Sequence, residues 1–579
     1  MVAAALIHWP PPSAEFTYDD HDFVASNGSI RSLPEAWSNF GAPFPPEQSE
    51  RGLYRPLTSL SYALDYKFFG LDAHAFHRTN AVLYALLVLA VLGVYRATLT
   101  SRGLALGAAL LFALHPVHCG VVDSVSGRSE VLALLFAALA FAVFERSRLH
   151  AGMGQFGLSL ATALLYALAC LSKETGVPLL GILVLRFALL EWRRPGSILQ
   201  GVRLLLPSLV VLAGYMVLRF NALGSFGPSE HTLSETSVIG RALTGGAVFA
   251  EYVRLLVAPF TLQLDFYYQR AVGIHEAPSL QAIIGLVLAV AAITTFLWGL
   301  VGHFRQARVE DDSGKSRLAA LTQASIALIF LFPVSHVIGI DALMSERFLF
   351  APSLGAIGLA VLMANRMNEG FMKSQGQRRV AIGALSVIAA LFALRTMARA
   401  KEWRDGVLLW EAVVEKIQDD FRPYSNLGEI HLSRNQLEEA RLNFERALEL
   451  SPGEYPPQVN LAIVHERLGN KQHAASIYRR LLRSYPNNAT IWGNLGVMEY
   501  ALGNVERAVE CLRRSLSLNP NHAQVQANLQ RALASLRDHP DNEDPVKQTR
   551  VDRSEPWKSF GLTEEEWPDF KKKFQLEDK

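Results

Sequence analysis

The sequence predicts an all-α protein in which a polytopic membrane domain is followed by a solenoid of short helical repeats. Two observations predict this architecture. The first 400 residues or so are dominated by long apolar runs, which are typical of helices that cross a membrane. Behind them, the dipeptide Asn-Leu begins at residues 426, 460, 494 and 528, a constant spacing of 34 residues that is typical of helical repeats.

The overall composition agrees with this division. The chain has 579 residues, of which 50% are hydrophobic and 19% charged, as expected for a membrane protein joined to a soluble domain. A net charge of +2 predicts no nucleic-acid partner. Cys119, Cys170 and Cys511 are odd in number and far apart, so they specify no disulfide framework.

The chain divides into five predicted regions. They are an N-terminal segment with the first external loop (1–79), a multi-span membrane domain (80–400), a linker helix (401–420), the repeats (421–536) and a polar, charged tail expected to be disordered (537–579).

Ten apolar runs approach the roughly 20 residues needed to cross a bilayer. They lie near 80–100, 104–118, 130–145, 158–172, 176–192, 202–220, 280–301, 320–340, 348–364 and 379–397. Basic residues fall in alternate loops, which predicts that those loops are cytoplasmic. The run 244–265 would break this alternation, so we interpret it as interfacial or re-entrant. Ten crossings place the first loop (15–79) and the repeats on the same, non-cytoplasmic side.

The N-terminal 14 residues contain one short apolar stretch that ends at three prolines, Pro10 to Pro12. This stretch is too short to span a membrane or to form a complete signal peptide. Either an opening helix has been lost from the chain, or its start was assigned too late. We favour the second interpretation.

The repeats resemble tetratricopeptide units. The positions that this repeat type uses at helix crossings and between units are occupied, in the first repeat, by Gly428, His431, Ala440, Phe444, Ala447 and Pro452. Small residues let two helices approach, while large apolar residues fill the gap to the next unit. The units are therefore expected to stack into a solenoid with a concave binding face.

The first loop carries adjacent carboxylates, Asp19 and Asp20, with Asp22 close by, among aromatic residues at a predicted membrane surface. One carboxylate in such a place can accept the proton of an attacking hydroxyl while its neighbour fixes its orientation. The alternative is that the pair caps a helix or a turn.

Further ionisable residues lie at predicted span ends on the same side. These active-site candidates are His115, His118, Asp123, Arg128, Glu130, Lys173, Glu346 and Arg347. Ionisable groups at membrane depth are costly, so their convergence on one face indicates function. Structural alternatives are ion pairs of Arg128 with Glu130 and of Arg347 with Glu346, and a Lys173 that reaches for the interface. Neither a cysteine nor a third histidine accompanies the two histidines at ligand spacing, so we expect helix-end hydrogen bonds and no metal site.

In order along the chain, the motifs YDD, YRPLT, LHPVH, GRSE, SKETG, SERFLFAPS and WRDGVLLW, followed by the repeats, resemble the TMTC family of transmembrane, tetratricopeptide-containing protein O-mannosyltransferases and its bacterial relatives. The resemblance runs from about Phe16 to about Ala534. It implies a GT-C-like glycosyltransferase whose catalytic carboxylate is Asp19 or Asp20. Two departures are the absent opening helix and Gly120, where the family usually has an acidic residue. If that acid is essential, the chain is impaired or uses Asp123 instead.

The resemblance also implies a reaction. A Ser or Thr hydroxyl of an acceptor protein attacks the sugar, mannose, of a polyprenyl-phosphate donor with inversion, and the repeats engage the acceptor. Arg55, Lys173 and Arg347 are the candidates for binding the donor phosphate. No cofactor is implied beyond the donor itself. The expected location is the bacterial inner membrane with the first loop and repeats in the periplasm, or the endoplasmic reticulum with the repeats in the lumen if the chain is eukaryotic.

Two other functions fit the same architecture. In one, the membrane part only anchors a repeat adaptor or scaffold for envelope assembly, which fold analogy alone does not exclude. In the other, a GT-C transferase acts on a lipid or a glycan rather than on protein. An anchor alone would not need acids and bases gathered on one side of the membrane.

Overall fold

The computed structural model of the protein describes residues 2–538, apart from 193, 195, 226–231, 265–267, 269–270, 306–311, 337–341 and 372–374. The chain forms two compact units, residues 1–409 and 410–579. The tail expected to be disordered lies outside the described residues beyond 538. We describe each unit in turn.

The described part of the first unit is helical throughout, with short helical turns between the longer helices. Its α-helices are Val2–Ile7, Leu33–Ser38, Pro56–Phe69, Ala73–Thr98, Arg102–Leu114, Cys119–Val122, Arg128–Ser147, Gly152–Ser172, Leu179–Glu191, Ser197–Leu223, Val238–Val257, Leu280–Arg305, Asp312–Leu331, Phe350–Phe371 and Gln375–Glu402. The helix Gly406–Val414 follows at the junction with the second unit.

Within the described residues, seven helical segments are long and apolar enough to cross a membrane. They are Ala73–Thr98, Gly152–Ser172, Ser197–Leu223, Leu280–Arg305, Ser313–Val334, Glu346–Met367 and Gly383–Glu402. The pair Arg102–Leu114 and Pro116–Val122, bent by 51°, makes an eighth if it is one broken span. A multi-pass membrane protein is thus supported, although with fewer candidates than the ten predicted.

The two predicted spans that do not qualify are 130–145 and 176–192. Both are helical, but each has a physical reason for falling short. Leu179–Glu191 has only 13 residues, against the roughly 20 that a bilayer requires. Arg128–Ser147 is long enough with 20 residues, but charged residues occupy both of its ends. The run 244–265, interpreted as interfacial, contributes to the helix Val238–Val257, which is also outside the seven.

The core of the first unit is built from small and aromatic side chains. Tyr84, Tyr95, Phe112 and Tyr166 are fully buried in it, and alanines fill the spaces between their helices. The helix Leu280–Arg305 differs, since only 6% of its most apolar window is buried within the protein. Its apolar side chains therefore face outward, as lipid-facing side chains do.

Between residues 421 and 538, the second unit forms three helix pairs and a terminal helix. Their bounds are Phe421–Ser433 with Leu437–Leu450, Tyr455–Arg467 with Lys471–Ser484, Ala489–Ala501 with Val505–Leu518, and then Ala523–Asp538. A Cβ added to Gly428 would lie 2.8 Å from the Phe444 ring, and one on Gly496 would lie 2.7 Å from Leu512. The predicted all-α fold and its helical repeats are confirmed, and glycine is needed where the paired helices cross most closely.

Candidate functional site

Asp20 is a structural carboxylate. It is fully buried. Its Oδ1 accepts hydrogen bonds from the Ser126 amide at 2.7 Å and the Ser124 hydroxyl at 2.9 Å. Its Oδ2 accepts one from the Thr17 amide at 3.2 Å. Asp20 therefore ties the first loop to the turn that precedes the helix starting at Arg128.

The Asp19 side chain points toward Arg347 and is partly exposed. Its side chain is 22% exposed, and Oδ2 accepts a hydrogen bond from Arg347 Nη1 at 3.0 Å. The Arg347 guanidinium also lies 5.6 Å from the centre of the Tyr18 ring. Tyr18 has φ +51°, in the left-handed region, so the chain turns sharply just before the two carboxylates. Asp19 is the member of the pair that a substrate can reach.

Two further hydrogen bonds connect the first loop to residues 403 and 404, near the C-terminal end of the unit. The Thr17 hydroxyl donates to the Trp403 carbonyl at 2.9 Å, and the Glu15 amide donates to the Arg404 carbonyl at 3.2 Å. Trp403 is 1% exposed. Trp403 and Arg404 were not among the predicted site residues. The sequence feature that could have indicated these two residues is the WRDG motif just after the last apolar run.

Gly120 lies against another carboxylate. A Cβ at this position would be 2.7 Å from Glu346 Oε1, and also near Trp403 and Arg347 at 3.3 and 3.4 Å. Glu346 is 1% exposed, and Oε1 accepts from Arg399 Nη2 at 3.2 Å. The glycine that stands where the family usually has an acid thus leaves room for the carboxylate of Glu346.

Asp123, the suggested substitute for that acid, is engaged elsewhere. His8 Nδ1 lies 2.8 Å from its Oδ2, and Arg404 donates to its Oδ1 at 2.6 Å. Burial alone would raise the pKa of Asp123, but these two partners hold it below its ordinary value. Asp123 thus links the N-terminal segment to the WRDG motif.

A second charged cluster gathers two of the predicted phosphate-binding residues. Arg55 donates to both oxygens of Glu174, at 2.8 and 3.3 Å. Lys173 Nζ lies 2.6 Å from Glu130. Burial lowers the pKa of Lys173. Burial would raise the pKa of Glu174, but Arg55 and Lys173 hold it far below its ordinary value. Both cations are therefore already paired with a carboxylate.

Arg128 is a structural residue. It is fully buried, and Asp65 rather than Glu130 is its ionic partner, at 2.6 Å. Its Nε donates to Asn80 at 2.7 Å, and its Nη2 donates to the Phe76 carbonyl at 2.9 Å. These contacts lock the helix that starts at Arg128 to the helix Ala73–Thr98.

His115 and His118 also make structural contacts. His115 Nε2 lies 3.1 Å from the Leu256 carbonyl. His118 is enclosed between the hydroxyls of Tyr84 and Ser353, each 2.9 Å from a ring nitrogen. Both imidazoles are almost fully buried. They contact protein groups rather than the surface that Asp19 faces.

An apolar groove of about 550 Å³ opens in the same unit. Its walls are the helices Val238–Val257 and Leu280–Arg305 and the residues that end the helix Asp312–Leu331. Arg241 and His336 are among the few polar residues that line it. The helix Val238–Val257 also packs on residues 343–349, the segment that carries Arg347. The groove is thus joined by one packed layer to the segment facing Asp19.

The predicted residues therefore fall into three groups, and Glu174 joins the second as the partner of Arg55. Asp19 and Arg347 are in direct contact, with Glu346 and Gly120 beside them; Arg55, Lys173, Glu130 and Glu174 form a second charged cluster; Asp20, His115, His118, Asp123 and Arg128 hold the structure together.

Comparison with protein families identifies the repeats. Two models described as tetratricopeptide repeat match residues 421–454 and 459–523. These residues cover most of the predicted repeat region, so the tetratricopeptide interpretation is confirmed.

The chain is also similar to curated proteins over most of its length. It is 26% identical to mouse "Protein O-mannosyl-transferase TMTC3" over 478 residues, which cover 77% of this chain and 49% of that protein. It is 25% identical to human "Protein O-mannosyl-transferase TMTC4" over 464 residues, covering 72% of this chain and 61% of that protein. The chain therefore spans about half the length of these relatives.

Two solved structures are similar to this chain at lower sequence identity. The apo oligosaccharyltransferase of Archaeoglobus fulgidus matches with a TM-score of 0.36 and 13% identity, over 69% of this chain and 55% of that one. ArnT from Cupriavidus metallidurans bound to undecaprenyl phosphate matches with a TM-score of 0.36 and 18% identity, over 84% and 79% of the two chains.

Proposed function

Because the chain is a relative of the TMTC protein O-mannosyl-transferases at about 25% identity, we propose that it transfers a mannosyl group from a polyprenyl-phosphate carrier to Ser or Thr hydroxyls of a protein. One observation supports this most. Asp19 is a partly exposed carboxylate held by Arg347, while the adjacent Asp20 is buried and saturated with hydrogen bonds. Asp19 is thus the reactive carboxylate in this proposal, and Asp20 positions the loop that carries it.

In the proposed reaction, Asp19 accepts the proton of the acceptor hydroxyl as its oxygen attacks the anomeric carbon. A new carbon–oxygen bond forms on one face of the sugar. The bond to the carrier phosphate breaks on the other face, and the electron pair leaves with the phosphate. The configuration is therefore inverted. Arg347 orients Asp19, and Asp20 fixes the loop that presents it.

The leaving phosphate needs positive charge, for which Arg347, Arg55 and Lys173 are the candidates. In the described structure each of them contacts a carboxylate, of Asp19, Glu174 and Glu130 respectively. The donor phosphodiester carries one negative charge and gains a second as the bond to the sugar breaks, so its charge-assisted hydrogen bonds to these cations strengthen during the reaction. We propose that donor binding redistributes these pairs, so that Arg347 is shared between Asp19 and the phosphate.

The apolar groove supports a lipid-linked donor. It is lined almost entirely by apolar side chains from helices with outward-facing apolar surfaces, as an isoprenoid chain requires. Because its wall helix Val238–Val257 packs on the segment that carries Arg347, a lipid in the groove would direct its phosphate toward that segment. We propose that the groove holds the proximal prenyl units of the carrier.

Filling the groove tests this part of the proposal. Ala289→Trp should raise the KM for mannosyl-phosphoryl-polyprenol by about tenfold or more with little change in kcat, because it removes binding common to ground and transition states. Ala291, on the same helix, is not among the groove-lining residues. Ala291→Trp is therefore the control, with an expected KM near that of the parent protein. Equal KM values for both variants would mean that the groove does not bind the donor.

The carboxylates provide the main test. With purified full-length protein and radiolabelled mannosyl-phosphoryl-polyprenol, Asp19→Asn should reduce turnover by about a hundredfold or more at an unchanged melting temperature. Asp22→Asn is the matched control, since Asp22 also pairs with an arginine, Arg51, at 2.6 Å, but lies 44% exposed outside the proposed site. It should transfer sugar at a nearly normal rate.

Asp20→Asn should behave differently from both. An amide here would set its NH₂ group against either the Thr17 amide or the Ser126 amide, so the melting temperature should fall along with turnover. Normal turnover by Asp19→Asn would contradict the assignment. Donor hydrolysis or transfer to a glycan or lipid, without transfer to protein, would keep the chemistry but change the acceptor. Absence of any donor turnover in the parent protein would favour the adaptor function.

We also propose that the first loop and the repeats lie on the non-cytoplasmic side. The ten predicted crossings are an even number, which gives this sidedness if the bent pair and the helices Arg128–Ser147 and Leu179–Glu191 all cross. After replacement of the three native cysteines, Ser433→Cys, at an exposed position in the first repeat, should react with an impermeant thiol reagent in intact cells. Labelling only after lysis would mean an odd number of crossings.

A further inference from the structure

Two polar atoms on the helix Ser197–Leu223 have no hydrogen-bond partner within the described residues. They are the hydroxyl oxygen of Tyr215 and Nη1 of Arg219. The two residues are one helical turn apart and lie close to each other on the same helix face. Tyr215 is 4% exposed, and Arg219 is half-buried. Because buried polar groups are normally hydrogen-bonded and both groups can donate, they indicate a missing acceptor.

These two side chains lie beside the second charged cluster. Both of them interact electrostatically with Glu174, the partner of Arg55. Arg219 also contacts the first loop, because its Nη2 donates to the Gly52 carbonyl at 3.2 Å. That hydrogen bond already attaches the loop to the helix. A purely structural role of Arg219 therefore leaves Nη1 and the Tyr215 hydroxyl unexplained.

With Arg219 included, the described part of this cluster has more cations than carboxylates. The cations are Arg55, Lys173 and Arg219, and the carboxylates are Glu130 and Glu174. The cluster is open on one side, since the Glu174 side chain is 37% exposed. An excess cation beside two unused donors requires a ligand that is anionic and accepts several hydrogen bonds. A phosphate group meets both requirements.

The position of Arg219 indicates where such a phosphate comes from. The helix Ser197–Leu223 is a candidate membrane span, and only 22% of its most apolar window is buried within the protein. Leu218 and Phe220, on either side of Arg219, are 44% and 45% exposed, as lipid-facing side chains are. Because Arg219 lies four residues before the end of the span, its guanidinium is at the depth of the lipid headgroups.

From these observations we infer that Tyr215 and Arg219, together with Arg55 and Lys173, bind the phosphate group of a membrane lipid. The Tyr215 hydroxyl and Arg219 Nη1 each donate to a phosphate oxygen, and the excess positive charge of the cluster balances the charge of the phosphate. None of these four residues lines the apolar groove. The phosphate site is therefore separate from the groove.

Two kinds of lipid present a phosphate at this depth, the polyprenyl-phosphate carrier and the phospholipids of the surrounding membrane. If the ligand is the carrier, the inference rests on the proposed function and adds Tyr215 and Arg219 to the residues that hold the donor. If it is a phospholipid, the site binds a lipid that takes no part in the reaction. The chemistry of recognition is the same in both cases, so the experiment has to distinguish the source.

The experiment measures equilibrium binding of two radiolabelled probes to the purified full chain in detergent. The probes are undecaprenyl phosphate and undecaprenol, which has the same chain without the phosphate. Arg219→Gln should weaken binding of undecaprenyl phosphate by about tenfold or more and leave undecaprenol binding unchanged, because only a contact with the phosphate is lost. Each variant is also measured in the Ala289→Trp background, so that binding in the groove does not hide a loss at this site.

Tyr215→Phe keeps the test decisive if Arg219→Gln melts early. It removes a hydroxyl that has no hydrogen bond within the described residues, so a structural role predicts no effect. The inference predicts about threefold to fivefold weaker binding of undecaprenyl phosphate at an unchanged melting temperature.

Two control variants match these substitutions. Tyr166 is also buried, but its hydroxyl donates to the Val177 carbonyl at 3.0 Å, so Tyr166→Phe should melt earlier and bind both probes as the parent protein does. Arg203 is exposed near the other end of the same helix as Arg219. Arg203→Gln should therefore leave binding of both probes unchanged.

Competition against labelled undecaprenyl phosphate identifies the source of the phosphate. Equal displacement by phosphatidylglycerol would identify a phospholipid, and no displacement by phosphatidylglycerol would identify the carrier; both results keep the inference. Displacement by inorganic phosphate at the same concentration would overturn it, since a lipid would then not be needed.

The binding measurements decide the rest. Unchanged binding of undecaprenyl phosphate by Arg219→Gln and Tyr215→Phe, equal losses in the control variants, or equal affinity of the parent protein for both probes would overturn the inference. Arg219-dependent binding by a protein that does not transfer sugar would keep the inference and reject the proposed function. Sugar transfer with binding that does not depend on Arg219 would do the reverse.

Discussion

Most ion pairs in the described part of the membrane unit join residues that are far apart in the sequence, whereas most of those in the repeats are local, with Arg479 and Glu499 as an exception. In the membrane unit, many ion pairs join distant parts of the sequence, such as the buried pair of Arg128 with Asp65 and the partly exposed pair of Asp19 with Arg347. In the repeats, Arg441 pairs with Glu438 and Glu445, three and four positions away on its own helix, at partly exposed positions.

This contrast shows what holds each unit together. The repeats are stabilised by apolar contacts between neighbouring helices, so their exposed charges contribute little. In the membrane unit, ion pairs join loops to distant helices, and they act together with apolar clusters such as the one that contains Phe23 and Phe44. A charge there is expensive to leave unpaired, because its partner remains buried.

The largest difference in stability between the two units is expected when one arginine is removed from each. Arg128→Met should destabilise the membrane unit by about 3–5 kcal/mol, since it leaves Asp65 almost buried without its cation. Arg441→Met should change the stability of the repeats by less than about 1 kcal/mol. Thermal unfolding followed by intrinsic fluorescence measures both. Similar shifts for the two variants would contradict the contrast.

Gly120 provides a test of intermediate size. Gly120→Ala should destabilise the protein by about 1–3 kcal/mol, because its methyl group would overlap Glu346 Oε1 and displace that buried carboxylate. Gly107→Ala is the control, since its Cβ would meet nothing within 4 Å. That variant should be neutral or slightly stabilising. If Gly120→Ala is as stable as Gly107→Ala, Glu346 does not depend on the glycine.

The smallest expected effect concerns pH. Arg55 and Lys173 lower the pKa of Glu174, so the pairing stabilises the fold above the ordinary glutamate pKa and is lost as pH falls below it. Glu174→Gln should therefore lower the melting temperature at pH 7, by the equivalent of about 1 kcal/mol or less, and the gap to the parent protein should narrow toward pH 4. Glu439→Gln, at an exposed position of the repeats, should show no such narrowing. If the difference in melting temperature between Glu174→Gln and the parent protein is the same at pH 7 and pH 4, the ion pairing of Glu174 does not stabilise the fold.

The same contrast explains what the sequence could predict. The repeats were predictable almost residue by residue, because Gly428, Ala440 and Phe444 act through contacts within one short period. Motifs at span ends also indicated which charged residues would gather. Sequence reasoning did not pair Arg128 with Asp65, nor did it separate Asp19 from Asp20. Those outcomes depend on tertiary contacts of loops, which have no period along the chain.

Two tethers of the first loop have a consequence for how the protein is made. Thr17 and Glu15 bond to the main chain of Trp403 and Arg404, nearly 400 residues later. During synthesis the loop reaches the membrane surface long before its partners leave the ribosome. These two bonds can therefore form only after residues 403 and 404 have been synthesised, so the attachment of the loop that carries Asp19 is completed at the end of the membrane unit's synthesis.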